Sequence, residues 1–322
     1  MKTHLNKLND SLPDHIDLFL CNSSFEDRSL VVLSSIDSSK IKYAIICTNT
    51  DQSDIVGQNA LSIQNKLKCD SEFANFDTNN PLSIADELLK RLSRFDNKME
   101  IVVDITTFTH EALLILLKIF QISKSYLKNN VHLIYNSAKS YCHTVENIDD
   151  IWLSKGLRDK RTILGYPGRF KPYNPLHFIM LVGFENERAK HLIESYEPSV
   201  LSLGIADKKE SVAPDIHEIN LSRYKNLKIL YKDVYEFTFS CINPLATYNI
   251  LNEYIARYKN YNVVISPMNN KVSTLGCGLF ALSNPQVQLI SSRANLYNTE
   301  SYSKASKYFY KFNLRDLMKA IE

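Results

Sequence analysis

The sequence predicts an α/β protein made of two tandem, doubly wound parallel sheets that are related by internal duplication. Short apolar segments alternate with helix-periodic segments along the chain, as they do in βαβ units. Three blocks of the first half recur in the second half at offsets of 156 to 162 residues. The chain has 322 residues, 44% of them hydrophobic and 23% charged, which suits two globular domains of about 150 residues each.

The first half reads as four strands and four helices. Strands are expected near 16–21, 41–48, 100–104 and 131–136, and helices near 26–36, 55–67, 82–95 and 109–128. The last helix is the clearest, because Leu113, Leu116, Leu117 and Phe120 form one wide apolar face.

The second half repeats this alternation. Strands are expected near 177–183, 199–204, 228–232, 262–266 and 286–291, and helices near 185–196, 244–259, 271–283 and 302–320. Strands joined by helices give right-handed crossovers, so each half is predicted to be a Rossmann-like sheet with helices on both faces.

Three pairs of blocks predict the duplication. An apolar strand is followed by Phe25-Glu26-Asp27-Arg28 in the first half and by Phe184-Glu185-Asn186-Glu187-Arg188 in the second. Segments 133–141 and 289–297 share Leu, Ile, Ala and Tyr at matching positions. Segments 101–109 and 263–271 stand at equivalent places in the two halves. Three blocks in one order favour two copies of one unit.

The expected domains are residues 1–155 and 176–322, joined by a basic linker rich in Gly and Pro at 156–175. Residues 1–160 carry 18 Lys and Arg against 21 Asp and Glu, and residues 161–322 carry 20 against 14. This imbalance favours an anionic ligand or partner for the second half.

Several classes of protein are excluded by the same sequence. The apolar runs are too short for a membrane span and the N-terminus lacks the apolar core of a signal peptide, so a cytoplasmic location is expected. Six scattered cysteines indicate reduced thiols, with neither a zinc site nor a disulfide framework. No GxGxxG fingerprint or P-loop occurs, so no cofactor is expected.

Ligands of open α/β sheets bind beyond the carboxyl ends of the strands, where the strand order reverses. In the first half this predicts Ser24, Glu26, Arg28, Asp104, Thr106, Thr107 and Thr109 as ligand-binding residues. In the second half it predicts Gly183, Glu185, Arg188, Ser266, Asn269, Asn270, Lys271 and Arg293. Structural alternatives stay open, because Thr107 or Thr109 can cap a helix and each Glu can pair with its neighbouring Arg.

The predicted last helix carries a basic stripe. It consists of Lys304, Lys307, Lys311, Arg315 and Lys319, with aromatic residues between them. Such a stripe can bind nucleic acid or an acidic partner, but more often it is the solvated face of an amphipathic helix.

Residues 104–109 (Asp-Ile-Thr-Thr-Phe-Thr) resemble the Asp-x-Thr-Gly-Gly-Thr-Lys segment of CRISPR-associated Rossmann-fold (CARF) sensor domains. Residues 267–271 (Pro-Met-Asn-Asn-Lys) resemble the end of that segment. Both glycines are replaced in each half, and His110 stands where the first half would carry the Lys. Two such domains in one chain resemble the SAVED sensors of bacterial anti-phage systems. The resemblance implies binding of a cyclic oligonucleotide and a defence role.

Three hypotheses follow. The first is a sensor or regulatory protein that binds a nucleotide-type or other anionic ligand. The second is a nucleotide-processing enzyme with Asp104, Glu26 and His110 as acid–base groups. The third is an assembly subunit of a multiprotein complex, with a partner protein from the same locus.

Overall fold

A computed structural model describes residues 2–50, 54–95, 98–142 and 150–322. The strands are β1 (Lys2–His4), β2 (Leu18–Asn22), β3 (Tyr43–Asn49), β4 (Asp70–Phe76), β5 (Glu100–Asp104), β6 (Asn130–Tyr141), β7 (Ser154–Lys155), β8 (Asp159–Pro167), β9 (Leu176–Leu181), β10 (Val200–Ala206), β11 (Val234–Phe239), β12 (Asn262–Pro267), β13 (Gln288–Arg293), β14 (Leu296–Tyr297) and β15 (Ser303–Asn313). The α-helices are α1 (Leu8–Ser11), α2 (Val31–Ser34), α3 (Asp54–Lys66), α4 (Pro81–Leu92), α5 (His110–Ile122), α6 (Ser125–Lys128), α7 (Asn186–Tyr196), α8 (Pro214–Lys228), α9 (Pro244–Ile255), α10 (Lys271–Ser283) and α11 (Leu314–Lys319).

The chain divides into two compact units. Unit 1 comprises residues 1–139, 303–320 and 322, and unit 2 comprises residues 140–302 and 321. The sheet of unit 1 has the strand order β1-β15-β6-β5-β2-β3-β4. Strands β2 to β6 pair in parallel, and β1 pairs antiparallel with β15. The order of the parallel strands reverses between β2 and β5, which is where a ligand crevice is expected.

The sheet of unit 2 has the order β11-β10-β9-β12-β13-β8. Strands β9 to β13 pair in parallel, and β8 pairs antiparallel with β13. The five parallel strands therefore follow the same order as those of unit 1, and the predicted α/β Rossmann-like fold class is confirmed. A shared strand order is what a duplication would produce, but the duplication itself stays a prediction.

The helix predicted over 302–320 is wrong. Residues 303–313 form β15, and only Leu314–Lys319 form a helix. Phe309 is 1% exposed and packs into the core cluster of unit 1, which an aromatic side chain on a pleated strand can reach. Lys311 Nζ donates to the Ser11 carbonyl, and Arg315 Nε donates to the Tyr126 carbonyl at 3.1 Å. The basic residues do not form a stripe along one helix.

The linker predicted at 156–175 is also wrong, because β8 occupies 159–167 within the sheet of unit 2. Its register with β13 sets Asp159 opposite Arg293 and Arg161 opposite Ser291. The prediction missed β4 and α8, and its strand at 228–232 falls on the end of α8 and the turn after it, ahead of β11.

The chain passes from unit 1 to unit 2 and then returns to unit 1. The chain that leaves β6 of unit 1 supplies β8, the antiparallel strand of unit 2, and the chain that leaves β13 of unit 2 supplies β15 of unit 1. Unit 1 consequently carries 20 Lys and Arg against 19 Asp and Glu, and unit 2 carries 18 against 16. The charge imbalance between the sequence halves therefore does not distinguish the units, because the basic residues of the C-terminal segment belong to unit 1.

No α-helix among the described residues is both long and apolar enough to span a bilayer.

A series of buried, hydrogen-bonded polar side chains lies in the core of unit 2. His177, at the start of β9, is 0% exposed, and its Nε2 lies 2.7 Å from Ser202 Oγ. Ser202 Oγ lies 2.9 Å from the Tyr254 hydroxyl, and the rings of Tyr254 and Tyr258 surround the imidazole. Burial lowers the pKa of His177 from 6.5 to about 4, so the ring is neutral at physiological pH.

We expect His177 to make unit 2 less stable in acid. The unfolded chain takes up a proton on His177 below pH 6.5, and the folded chain does so only near pH 4. The free energy of unfolding of unit 2 therefore falls by up to about 3 kcal/mol as the pH drops from 6.5 to 4. His177→Gln should flatten this dependence. The measurement is the hydrogen-exchange stability of β9 and β10 amides at several pH values. His191→Gln, on the exposed face of α7, is the control, and an unchanged pH slope in His177→Gln would contradict the prediction.

Candidate functional site

In unit 1 the two loops at the reversal of strand order bind each other. Asn22 Nδ2 donates to the Thr107 carbonyl at 3.1 Å, and Thr107 Oγ1 donates to the Asn22 carbonyl at 2.6 Å. Both side chains are buried. This reciprocal pair joins the end of β2 to the loop after β5, so the Thr107 hydroxyl is engaged within the fold.

Glu26 and Arg28 form the centre of a closed network in unit 1. Arg28 is 4% exposed, and its Nε and Nη2 donate to Glu26 Oε2 at 2.9 and 2.6 Å. Ser303 Oγ donates to the same carboxylate oxygen at 2.6 Å, and Arg28 Nη1 donates to the Asn136 carbonyl at 3.2 Å. In unit 1 Glu26 and Arg28 therefore pair with each other, which is the structural alternative given for this motif, and the pair anchors the start of β15.

Asp104 lies at the end of β5 and is 2% exposed. Burial raises its pKa from 3.8 to about 7, although the Thr106 N–H, at 3.0 Å from Oδ1, and the charge of Arg28 both oppose the rise. Thr106 Oγ1 in turn accepts from the Asn136 N–H at 3.0 Å. This carboxyl is half-protonated near neutral pH, yet it lies beneath the loops and not at an open surface.

The remaining predicted residues of unit 1 have mainly structural contacts. Thr109 Oγ1 accepts from the Ala112 N–H at 3.0 Å and so caps α5, as the structural alternative proposed. His110 is the first residue of that helix and is half-buried. Ser24 Oγ accepts from the Glu26 N–H at 3.3 Å, and the Ser24 carbonyl accepts from Asn59 at 2.7 Å.

In unit 2 the loops after β9 and β12 are also in direct contact. A Cβ on Gly183 would lie 2.0 Å from the Met268 carbonyl oxygen, so only glycine permits this approach. Asn269 Nδ2 donates to the Val182 carbonyl at 2.6 Å. Asn270 Oδ1 accepts from the Ser273 N–H at 2.9 Å and caps α10, and Ser266 is 1% exposed within β12.

Arg293 lies apart from this crevice. Its Nε donates to Asp159 Oδ1 and Oδ2 at 3.1 and 3.0 Å, across the pair formed by β13 and β8. The prediction that Arg293 binds ligand is therefore not supported by its contacts. Lys271 begins α10 and is half-buried.

A different set of polar residues lies on or next to α7, α8 and segment 151–156 of unit 2. It consists of Ser154, Glu185, Asn186, Arg188, His217, Asn220 and Arg223, and is called the polar cluster of unit 2 below. Glu185 Oε1 accepts from the N–H groups of Leu153 and Ser154 at 3.2 and 3.0 Å. Arg223 Nη2 donates to the Ile151 carbonyl at 2.6 Å. Segment 151–156 therefore lies against the cluster.

Several polar atoms of this cluster are buried without a hydrogen-bond partner among the described residues. They are Ser154 Oγ, Asn186 Oδ1, Arg188 Nε, His217 Nδ1 and Asn220 Oδ1. Buried polar atoms nearly always have partners, because each missing bond costs about 1–3 kcal/mol. Asn220 is 2% exposed and Ser154 6% exposed, so neither side chain reaches bulk solvent. These five atoms make the cluster the candidate site of unit 2.

The N-termini of the two helices at this cluster lack side-chain caps within the described part of the chain. By contrast, α4, α5, α9 and α10 are capped by Asn80, Thr109, Asn243 and Asn270. Glu185 stands at the cap position of α7, but its carboxylate accepts from segment 151–156. Burial raises the pKa of Glu185, against the charge of Arg188 and the hydrogen bonds from the Leu153 and Ser154 N–H groups.

Only Glu185 and Arg188 of this cluster belong to the residues predicted from sequence. The other members depend on α8, which sequence analysis missed. Pro214 and Asp215 at its start were the available signal, since Pro at the first helical position and an acid in the first turn are typical of helix N-termini. His217, Asn220 and Arg223 then follow at three-residue steps on one face.

The described residues were also compared with the needs of a metal site and of a reactive cysteine. No group of three or more His, Cys, Asp and Glu side chains there could hold a metal ion. Burial raises the pKa of Cys21, Cys47, Cys241 and Cys277, which disfavours the reactive thiolate.

No family model matches the chain, and no curated protein sequence matches it. Among solved structures, the cytoplasmic domain of a prokaryotic cation chloride cotransporter is 10% identical and aligns over 89% of this chain and 98% of its own, with a TM-score of 0.27. A likeness this weak indicates neither a shared activity nor a shared ligand.

Proposed function

We propose that this protein is a sensor or regulatory protein that binds a nucleotide-type ligand at the polar cluster of unit 2. The observation that carries the proposal is the set of unpaired buried atoms on and next to two helices whose N-termini are uncapped. Helix N-termini present N–H donors and a positive dipole end, which favour phosphate. The pairing of β9 and β10 brings these two ends to one edge of the sheet.

The cluster matches a nucleotide better than a bare anion. Arg188 and Arg223 supply guanidinium groups for a phosphate, and Glu185 supplies a single carboxylate. The unpaired oxygens of Asn186 and Asn220 each require a donor, whereas an inorganic phosphate dianion carries a single hydroxyl. Ribose hydroxyls and base amino groups provide such donors. The crevice of unit 1 also has two buried unpaired oxygens, Asn22 Oδ1 and Asn136 Oδ1, but its Glu26 and Arg28 are committed to Ser303 and Asn136.

Binding is proposed to displace segment 151–156. This segment is hydrogen-bonded to Glu185 and Arg223, so a ligand that engages those two side chains has to displace it. The segment is held by Glu185, by Arg223 and by Glu187, whose Oε2 accepts from the Gly156 N–H at 3.1 Å. A ligand that recruits Arg188 and Arg223 competes with these contacts. The displaced segment would be the signal that a partner protein reads.

The CARF and SAVED resemblance stays a prediction, as does a defence role. That resemblance assigns the ligand to the loops after the fourth parallel strand of each half. The proposal instead assigns it to the helices after β9 and β10, since Thr107, Asn269 and Asn270 are engaged within the fold. The enzyme and assembly-subunit hypotheses have no comparable observation in their favour.

We expect Asn220→Leu to stabilise the ligand-free protein and to abolish binding. Leucine has the same number and branching of side-chain heavy atoms and removes a buried unpaired oxygen, a gain of about 1–3 kcal/mol. The experiment is isothermal titration with mononucleotides, dinucleotides, cyclic oligonucleotides, nucleosides and inorganic phosphate, combined with thermal unfolding. Nucleotides should bind the native protein more tightly than nucleosides or phosphate do, and Arg188→Gln should weaken binding at least tenfold.

Asn136→Leu in unit 1 is the matched control. Asn136 also has a buried unpaired Oδ1, but its Nδ2 donates to the Ser306 and Tyr308 carbonyls at 3.0 and 2.9 Å. Its replacement should destabilise the protein and leave nucleotide affinity unchanged. If Asn220→Leu destabilised the protein and kept its affinity, the cluster would be a structural element and the proposal would fail.

A further inference from the structure

The N-terminal edge of the unit 2 sheet lies opposite the edge that carries the polar cluster. Because β9 to β13 are parallel, the loops that precede them share this edge. They are residues 168–175, 197–199, 229–233, 256–261 and 284–287. We propose that this edge binds single-stranded nucleic acid, with Tyr173 and Phe170 as stacking platforms for bases.

The turn at residues 171–174 is held rigidly. The Asn174 N–H donates to the Lys171 carbonyl at 3.0 Å, which closes a β-turn with Pro172 at its second position. Asn262 Nδ2 donates to the carbonyls of Lys171 and Asn174 at 2.8 and 3.0 Å. Asn262 Oδ1 accepts from the Lys171 N–H at 2.8 Å. The backbone of this turn is therefore fixed before any partner binds.

This fixed turn holds a tyrosine in solvent. Tyr173 is 80% exposed and Phe170 is 46% exposed. Neither ring belongs to the buried core, so their exposed apolar area is a cost unless a partner covers it. A rigid backbone that presents aromatic rings binds stacked groups with little loss of conformational freedom.

Basic residues accompany these rings in the loops of the same edge. Arg169 and Lys171 alternate with Phe170 and Tyr173 along the chain, and Arg257 and Lys259 stand in the adjacent loop that precedes β12. The loops of this edge carry five Lys and Arg residues against two Asp and Glu residues. The edge is therefore more basic than unit 2 as a whole, whose counts are 18 and 16.

Aromatic rings interleaved with cations match a single strand. Bases of a single strand can stack on exposed rings while its phosphates contact Lys and Arg. Duplex bases are already stacked, and an acidic protein surface offers few planar groups to stack on the rings. Base stacking of this type is sequence-tolerant, so the expected partner is single-stranded nucleic acid of mixed sequence.

The test is fluorescence anisotropy with labelled 15-mers of oligo(dT) and oligo(rU), at two salt concentrations and with the complete chain. The native protein should bind, and its affinity should fall with salt. Phe170→Ala with Tyr173→Ala should weaken binding about tenfold or more. Arg169→Gln with Lys171→Gln should lower the slope of log affinity against log salt by about one for each phosphate that the variant no longer neutralises. Circular dichroism checks that the variants fold.

Unit 1 offers a matched control surface. Lys304, Lys307 and Tyr308 are exposed on β15, so a triple replacement with Gln, Gln and Ala removes similar groups. This variant should bind both oligonucleotides as the native protein does. The proposal is overturned if the native protein binds neither 15-mer at low salt, or if the control loses more affinity than the Phe170 and Tyr173 variant. Self-association that depends on those two rings, without oligonucleotide binding, would assign the edge to a second copy and would also overturn it.

Discussion

Replacing Asp104 with Asn is expected to stabilise unit 1 by up to about 4 kcal/mol at pH 8. The pKa of Asp104 is about 7 in the folded chain and 3.8 as the ordinary value, because the carboxyl is buried. The folded state thus binds more protons than the unfolded state between these values. The contribution of Asp104 to the stability of unit 1 is fully present below pH 3.8 and is lost as the pH rises from there through 7. Asparagine carries no charge to bury and keeps Oδ1 as an acceptor for the Thr106 N–H.

The measurement is hydrogen-exchange stability of β2 and β5 amides at pH 5, 6.5 and 8, in the native protein and in Asp104→Asn. The difference between them should grow with pH. Asp17→Asn is the control, because burial raises the pKa of that carboxyl but hydrogen bonds from Lys42 and the Glu100 N–H outweigh it and leave the pKa lowered. That control should lose stability at neutral pH. A destabilised Asp104→Asn at pH 8 would contradict the prediction.

Removing the Arg28 side chain is expected to cost unit 1 about 3–5 kcal/mol. Arg28→Met leaves the carboxylate of Glu26, the Asn136 carbonyl and Asp104 without their buried cation. Ser303, at the start of β15, also loses a donor from Nε at 2.9 Å. Because Glu26 and Arg28 anchor this strand, exchange of β15 amides should accelerate most. Chemical denaturation combined with hydrogen exchange measures both effects.

A double replacement separates the pair from its surroundings. Glu26→Gln with Arg28→Met removes both charges, so it should recover much of the loss, as buried ion pairs often do when both partners become neutral. The exposed i,i+4 pair of Lys190 and Glu194, 3.7 Å apart, is the control. Its removal should change stability by less than about 0.5 kcal/mol. Equal losses at the two pairs would show that burial does not decide the strength of the Arg28 interaction.

Most of the parallel strands were predictable, but β8 and β15 were not. Alternation of apolar and helix-periodic segments indicated β2, β3, β5 and β6, because these strands are apolar and buried. By contrast, β15 was read as a helix from the three- and four-residue spacing of its lysines. Its burial depends on pairing with β6 and β1, partners far away in sequence. Similarly, β8 looks like a linker until its pairing with β13 is known.

Site prediction failed for a related reason. A strand–turn–helix pattern correctly indicates where the crevice lies, but it does not tell whether the polar groups there bind one another. Thr107, Thr109 and Asn270 all turned out to be engaged within the loops. Conversely, His217 and Asn220 carried no sequence signal for a site. Their burial without hydrogen-bond partners among the described residues is visible only in the structure.

The central claim is that a nucleotide-type ligand binds at α7 and α8 of unit 2 and displaces segment 151–156. Hydrogen exchange with and without the tightest nucleotide of the titration panel tests it most directly. The claim predicts slower exchange in the first turns of α7 and α8, and faster exchange of the Leu153, Ser154 and Gly156 amides, which Glu185 and Glu187 now hold. Protection confined to residues 22–28 and 104–110 of unit 1, with segment 151–156 unchanged, would contradict it.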